Sequence, residues 1–225
     1  MARVVIRARE AITGGALILA ACGAPPPTTG TAPATASTAP AASRGDGTDS
    51  MTTLLPAGYG SLRQDDIAIQ VRLPQILVRA LPLDEGIIRL LSPDSYRALH
   101  ELREGQRTAV ARDAERLGVS RPSLWYLSFF GLQPDARFTA RDVTVSSGGR
   151  DYRPLDVIPL SAGFGGGLVG QREVQSAIYV FPSAVDPSQP LTLAVESVPG
   201  TSWSSIIPVI ERERAFIRSR VSGRP

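Results

Sequence analysis

Between residues 23 and 50 the chain is almost entirely alanine, proline, threonine, serine and glycine, opening with Ala24-Pro25-Pro26-Pro27. Such a stretch cannot bury enough apolar surface to offset the entropy of ordering it, and its prolines hold it partly extended. It therefore confines any fold to residues 51–225, about 175 residues, which is enough for one well-buried core. Residues 22–50 read as a tether, with a reach of about 30 Å as a random coil and about 90 Å as polyproline II. Its threonines and serines also admit a glycosylated stalk.

What precedes the tether has the layout of an export signal. Met1 to Glu10 carries Arg3, Arg7 and Arg9, and Ala11 to Ala21 is an apolar run of signal-peptide length, too short to cross a bilayer. The run ends in Leu19-Ala20-Ala21-Cys22, and Cys22 is the only cysteine of the chain. An aliphatic residue, two small residues and a cysteine in that order resemble the lipobox of bacterial lipoproteins. The resemblance implies that residues 1–21 are a removable signal peptide and that Cys22 takes up diacylglycerol and acyl chains such as palmitate. Residues 51–225 would then be an extracytoplasmic domain held at a membrane of the cell envelope. Gly23, in place of an aspartate, implies the outer membrane in a Gram-negative host. With one cysteine there is no intramolecular disulfide framework.

Charge and composition narrow the function classes. The formal net charge is +3, of which Arg3, Arg7, Arg9 and Glu10 supply +2, leaving +1 for the rest. A domain so close to neutral has no long-range field to recruit nucleic acid, and no nucleic-acid partner is expected. Every basic residue is arginine, which reads as the codon bias of a GC-rich genome rather than as phosphate recognition.

The residues that carry chemistry are sparse. His100 is the sole histidine, set in a helical stretch, and it reads as a helix-surface or boundary residue. A zinc site wants three or four Cys, His or carboxylate ligands, so with Cys22 acylated no metal is expected. No Gly-x-Ser-x-Gly elbow presents a nucleophile. The run Gly163-Phe164-Gly165-Gly166-Gly167-Leu168-Val169-Gly170 lacks the Gly-Lys-Ser/Thr ending of a phosphate loop and reads as a mobile loop between strands. Asp65-Asp66 and Asp84-Glu85 lie at strand ends without the spacing of a calcium loop and read as solvated turn acids. These readings point away from an enzyme, and no cofactor is expected.

Residues 66–73 alternate apolar and other residues, the period of a half-buried strand. Pro74 interrupts the pattern before it resumes from Gln75 to Pro82, which predicts a bulge or a crossing between sheets. Ser92 and Pro93 cap a helix predicted over about 93–117, closed by Gly118. Gly105 within it marks a bend or close packing. Leu124 to Phe130 is the most apolar strand, with Trp125, Leu127 and Phe129 on one face and Tyr126 and Phe130 on the other; the preceding helix is the simplest cover for the second face. Gly148-Gly149 predicts a hairpin turn whose return strand runs through Tyr152 and on to Val157–Leu160. Residues 177–181 and 191–195 read as two further strands. A helix is predicted over about 205–220, starting close to Pro208, with Glu211-Arg212-Glu213-Arg214 as a solvated face.

Short strands at regular spacing with glycine and proline turns suggest an antiparallel sandwich. Over residues 124–197, Gly149-Arg150-Asp151-Tyr152-Arg153-Pro154 followed by Ile178-Tyr179-Val180-Phe181-Pro182 resembles the Ig-like extracellular domains of bacterial lipoproteins. The resulting expectation is a mainly β, Ig-like antiparallel β-sandwich with an inserted helix and a C-terminal helix. It would be lipid-anchored and non-catalytic, serving protein–protein interaction or envelope scaffolding with an envelope protein as partner. The alternative is a glycan or peptidoglycan binding module using Tyr126, Phe130 or Phe164 of the glycine loop.

Overall fold

The computed structural model describes residues 54–222. The expected signal peptide, Cys22 and the tether lie outside the described residues.

Eleven strands follow in chain order: β1 (Ile69–Arg72), β2 (Ile76–Pro82), β3 (Ser123–Gly131), β4 (Ala136–Arg137), β5 (Val143–Ser147), β6 (Arg150–Tyr152), β7 (Asp156–Pro159), β8 (Leu168–Val169), β9 (Val174–Phe181), β10 (Leu191–Val195) and β11 (Val198–Pro199). They form a five-stranded sheet in the order β1-β2-β3-β9-β7, a four-stranded sheet in the order β11-β10-β5-β6, and a two-stranded pair β4-β8. All the strand pairings are antiparallel. Among the described residues four α-helices accompany them: α1 (Glu85–Ile88), α2 (Pro93–Gly105), α3 (Arg107–Leu117) and α4 (Trp203–Ser222). The strand order differs from that of an immunoglobulin domain, where the second and third strands lie in opposite sheets. Here β1, β2 and β3 are neighbours in one sheet.

Alternation sets the inner face of the large sheet. Trp125, Leu127 and Phe129 of β3 are all 0% exposed, while Tyr126 and Phe130 between them are half-buried. Val71, Val78, Ala177, Tyr179 and Phe181 share the inner face, and one hydrophobic cluster joins them to Val143, Val145, Leu191, Leu193 and Val195 of the other sheet. The Tyr179 hydroxyl, carried into this core, donates to the Ala140 carbonyl at 2.6 Å.

Proline and glycine decide the connections. Pro74 marks neither a bulge nor a crossing: Leu73 N–H donates to Ile76 C=O at 2.9 Å, so Pro74 and Gln75 form a two-residue turn. β1 and β2 pair directly across it, Arg72 with Leu77, and proline is harmless in a turn that asks nothing of its nitrogen. Gly148 and Gly149 adopt φ of +58° and +75°, the left-handed pair of a tight hairpin turn, and set Ser147 opposite Arg150 as expected. The return strand then ends. Residues 153–155 carry the chain to the other sheet, where β7 pairs with β9, correcting the expectation that Val157–Leu160 continues the hairpin.

The helix predicted over 93–117 is two helices. Gln106, with φ −100° and ψ 3°, closes α2 and opens α3, directly after Gly105. Gly118 ends α3 in the left-handed region at φ +67°. An added Cβ on Gly105 would meet nothing within 4 Å, so this glycine marks the bend and not a close approach. The ion pair from Arg116 to Asp156 brings α3 to the outer face of the large sheet. That face stays only partly covered, because Leu77, Phe130 and Val174, aligned across β2, β3 and β9, are half-buried or exposed.

α4 begins five residues before Pro208, at Trp203, whose indole is 0% exposed and donates to the Pro187 carbonyl at 2.8 Å. Burial of Trp203 fixes the start. The donor missing at Pro208 would have served Ser204, which is exposed to water. Trp203, Ile206, Ile210, Glu213 and Ile217 form the buried stripe, so Glu213 is not part of a solvated face. Its carboxylate accepts from Ser61 N–H at 2.8 Å and from Ser61 Oγ at 2.9 Å.

Candidate functional site

The densest polar constellation among the described residues gathers on Glu85. It lies in the first turn of α1, directly after the end of β2, and its carboxylate is 17% exposed. Oε1 accepts from Arg89 Nε at 2.8 Å and from the Tyr96 hydroxyl at 3.0 Å. Oε2 accepts from Arg103 Nη1 at 3.0 Å and faces His100 Nδ1 at 3.4 Å. Arg89 caps the end of α1, one turn after Glu85, whereas Tyr96, His100 and Arg103 recur at steps of four and three along α2. Side chains at such steps share one helix face. The Tyr96 and His100 rings stack with centroids 5.1 Å apart.

Electrostatics follow from this packing. Burial alone would raise the Glu85 pKa, but the hydrogen bonds from Arg89, Tyr96 and His100 and the charge of Arg89 outweigh it and hold the carboxyl below its ordinary value of 4.5. Burial and the bond to Glu85 hold the Tyr96 phenol above its ordinary value of 10.0. At Asp84, desolvation raises the carboxyl above 3.8 against the opposing pull of the Gly86 and Ile87 N–H groups and of Arg103 and Arg214. The Asp84 side chain is exposed at the surface.

A cleft of about 280 Å³ opens beside His100, lined also by Ala57, Gly58, Pro93, Tyr96, Arg97 and Glu101. No serine, threonine or cysteine lines it, and the Tyr96 hydroxyl is bonded to Glu85. A carboxylate with both oxygens occupied and a lowered pKa is a poor general base. The arrangement is well suited to clamping: Arg89 also donates from Nη1 to the Leu55 carbonyl at 3.0 Å, fastening the N-terminal strap to α1 and α2. Among the described residues, no group of three or more His, Cys, Asp or Glu is placed to hold a metal ion.

The residues singled out from sequence do not converge. Cys22 lies outside the described residues. Tyr126 is half-buried and packs on the core, while Phe130 is half-buried at the other end of the same face, beside Leu77 and Val174. Phe164 is 2% exposed, against Phe129 at 5.7 Å and Phe138 at 5.2 Å, which corrects its reading as a contact residue. The glycine loop is a 3-10 turn, Phe164–Gly166, followed by β8, which pairs with β4. Sequence reading missed the Glu85 cluster because Glu85 and His100 stand fifteen positions apart. The signal was present in the spacing of Tyr96, His100 and Arg103, once one asks what acid such a polar stripe faces.

No protein family, curated protein or solved structure matches this chain.

Proposed function

We propose that the chain is a lipid-anchored envelope protein that is not an enzyme. Its two sheets, read as a β-sandwich, are presented at the end of a tether for docking to an envelope protein or for scaffolding. The observation that carries this reading is Leu19-Ala20-Ala21-Cys22 at the end of a basic-then-apolar leader, followed at once by the Pro/Ala/Thr/Ser stretch. The saturated carboxylate of Glu85 supports the non-catalytic part, since its geometry serves to hold elements together. The test is metabolic labelling with an alkyne palmitate in a bacterial host. Wild-type chain takes the label and sediments with membranes, and Cys22→Ser loses both. Label retained in Cys22→Ser, or absent from the wild type, refutes the anchor.

The partly uncovered row Leu77, Phe130 and Val174 favours a second reading, a glycan or peptidoglycan module, because Val174 is 50% exposed and Phe130 stands outside the core cluster. Co-sedimentation with purified cell-wall sacculi that disappears in Phe130→Ser decides for this reading, and unchanged sedimentation decides against it.

A further inference from the structure

Where the β5–β6 hairpin faces the loop between β9 and β10, the surface opens into a cleft of about 630 Å³. That volume is within the range of small-molecule sites. Ser147, Arg150 and Tyr152 form one wall, and Gln189 and Pro190 contribute to the other. The register sets Ser147 opposite Arg150 and Val145 opposite Tyr152, and directly opposed residues of an antiparallel pair share a face. Val145 is 0% exposed and Ser147 is 8% exposed, so Arg150 springs from the inward face of its sheet, at the end where the core gives way to the cleft.

Arg150 itself is exposed, so its guanidinium meets water where it lines the cleft. Arg150 has no ion pair or hydrogen bond from its guanidinium among the described residues. Two acids on the elements that line the cleft are committed elsewhere. Asp151 projects to the opposite face and accepts from Ser146 Oγ, and Asp186 accepts from Ser188 N–H and Oγ, both at 2.8 Å. An inward charge on an edge strand also discourages edge-to-edge pairing, but that role needs neither a cleft nor an uncommitted guanidinium.

We propose that this cleft is a binding site for a small monocarboxylate, held by the Arg150 guanidinium. The Tyr152 ring supplies an apolar wall, and the Gln189 amide and Ser147 hydroxyl supply neutral hydrogen bonds. Guanidinium matches the planar carboxylate with paired N–H donors. Among the described residues Arg150 is the one cation of the lining, which suits a single negative charge better than a phosphate dianion. Such a carboxylate comes from an acidic amino sugar or from the free C-terminus of a short peptide. The choice of these two as probes rests on the envelope reading, whereas the geometry does not.

The experiment is calorimetric titration of the full chain in detergent, and of the full-length Cys22→Ser chain, with N-acetylmuramic acid and with N-acetyl-alanyl-alanine. N-acetylglucosamine and N-acetyl-alanyl-alaninamide serve as uncharged counterparts, and inorganic phosphate as the competing anion. At least one carboxylate probe binds the wild type, and which of the two binds identifies the source. Arg150→Gln weakens it roughly tenfold or more, the worth of one charge-assisted hydrogen bond, and Arg150→Lys weakens it less. The uncharged counterpart binds weakly and equally to wild type and Arg150→Gln. Absence of binding by both carboxylates at millimolar concentration, equal affinity in Arg150→Gln, or phosphate binding as tight as the carboxylate overturns the proposal. Retained binding by Cys22→Ser keeps this result independent of whether the anchor exists.

Discussion

Replacing Glu85 with glutamine tests whether the acid cluster holds the helices to the sheet. The side chain keeps its shape and one carbonyl oxygen, so Arg89 and Tyr96 can retain a partner on the Oε1 side. The other oxygen becomes an NH₂ group facing Arg103, so one charge-assisted bond is replaced by donors facing donors. A hydrogen bond to a charged group is worth about 1.5–3 kcal/mol, and removing one partner of a fully buried pair costs about 3–5 kcal/mol. Arg89 and Arg103 are 25% and 35% exposed, so solvent screening places the expectation below the buried figure, at about 2–3 kcal/mol.

Urea denaturation measures this, followed by the fluorescence of Trp125 and Trp203, both 0% exposed and 5.6 Å apart. The midpoint falls with an unchanged slope, since the surface exposed on unfolding is the same. The dependence on pH supplies the discriminating arm. Because the folded-state pKa of Glu85 is lowered from 4.5, the unfolded chain binds more protons over the interval between the two values, and stability rises with pH there. The contribution is fully present above about pH 4.5 and is lost as pH falls through the folded value. Below that value the protonated wild-type carboxyl resembles glutamine, and the two proteins converge. A gap that stays constant from pH 7 into the acid range, or one below about 0.5 kcal/mol at pH 7, refutes the reasoning.

Other substitutions separate core from surface and one glycine from another. Phe164→Ala costs about 3–5 kcal/mol in the same denaturation assay, as expected for a buried aromatic, while Phe130→Ser, outside the core cluster, costs less than about 1 kcal/mol. In Gly131→Ala the new Cβ would stand 2.1 Å from the Gly170 carbonyl oxygen, a backbone atom, so thermal unfolding moves down by the equivalent of about 2–3 kcal/mol. Gly105→Ala, helical with nothing within 4 Å of the new Cβ, moves it up by the equivalent of about 0.5–1 kcal/mol.

The features legible in the sequence are those whose physics is local. Gly148-Gly149 announces a hairpin because only glycine adopts two successive positive φ angles freely. Ser92-Pro93 and Gly118 bound the helical stretch for similar reasons. The misreadings fall where a distant partner decides. Pro74 reads as a bulge or a crossing between sheets until the pairing of Arg72 with Leu77 is known. Phe164, flanked by glycines, looks like a loop tip because nothing nearby in sequence says that Phe129 and Phe138 will enclose it. Glu213 sits among charges that resemble a solvated face, and its inward position depends on the hydroxyl and amide of Ser61, 152 residues away.

The same long-range bonds determine how the domain would bear a pull at the point where the proposed tether joins it. The strap from Leu54 to Leu62 is fastened by Arg89 to the Leu55 carbonyl, by Glu213 to Ser61, and by paired backbone bonds, Leu62 N–H to Leu90 C=O at 3.2 Å and Ser92 N–H to Leu62 C=O at 2.8 Å. Gly60 belongs to this fastening, because a Cβ there would lie 2.1 Å from the Leu90 carbonyl oxygen. Arg89 couples strap and cluster, since its Nε holds Glu85 while its Nη1 holds Leu55. Loss of the Glu85 charge therefore loosens the strap before it disturbs β3 and β9, whose ladders depend on neither residue. Native-state hydrogen exchange reads this directly. In Glu85→Gln the amides of Leu127 and Tyr179, which exchange through global unfolding, lose protection by the equivalent of the about 2–3 kcal/mol fall in stability, and those of Leu62 and Ser92 lose as much because opening the strap already breaks the cluster. Wild-type protection retained at Leu62 and Ser92 would mean that the strap opens with the cluster intact, which refutes the coupling through Arg89.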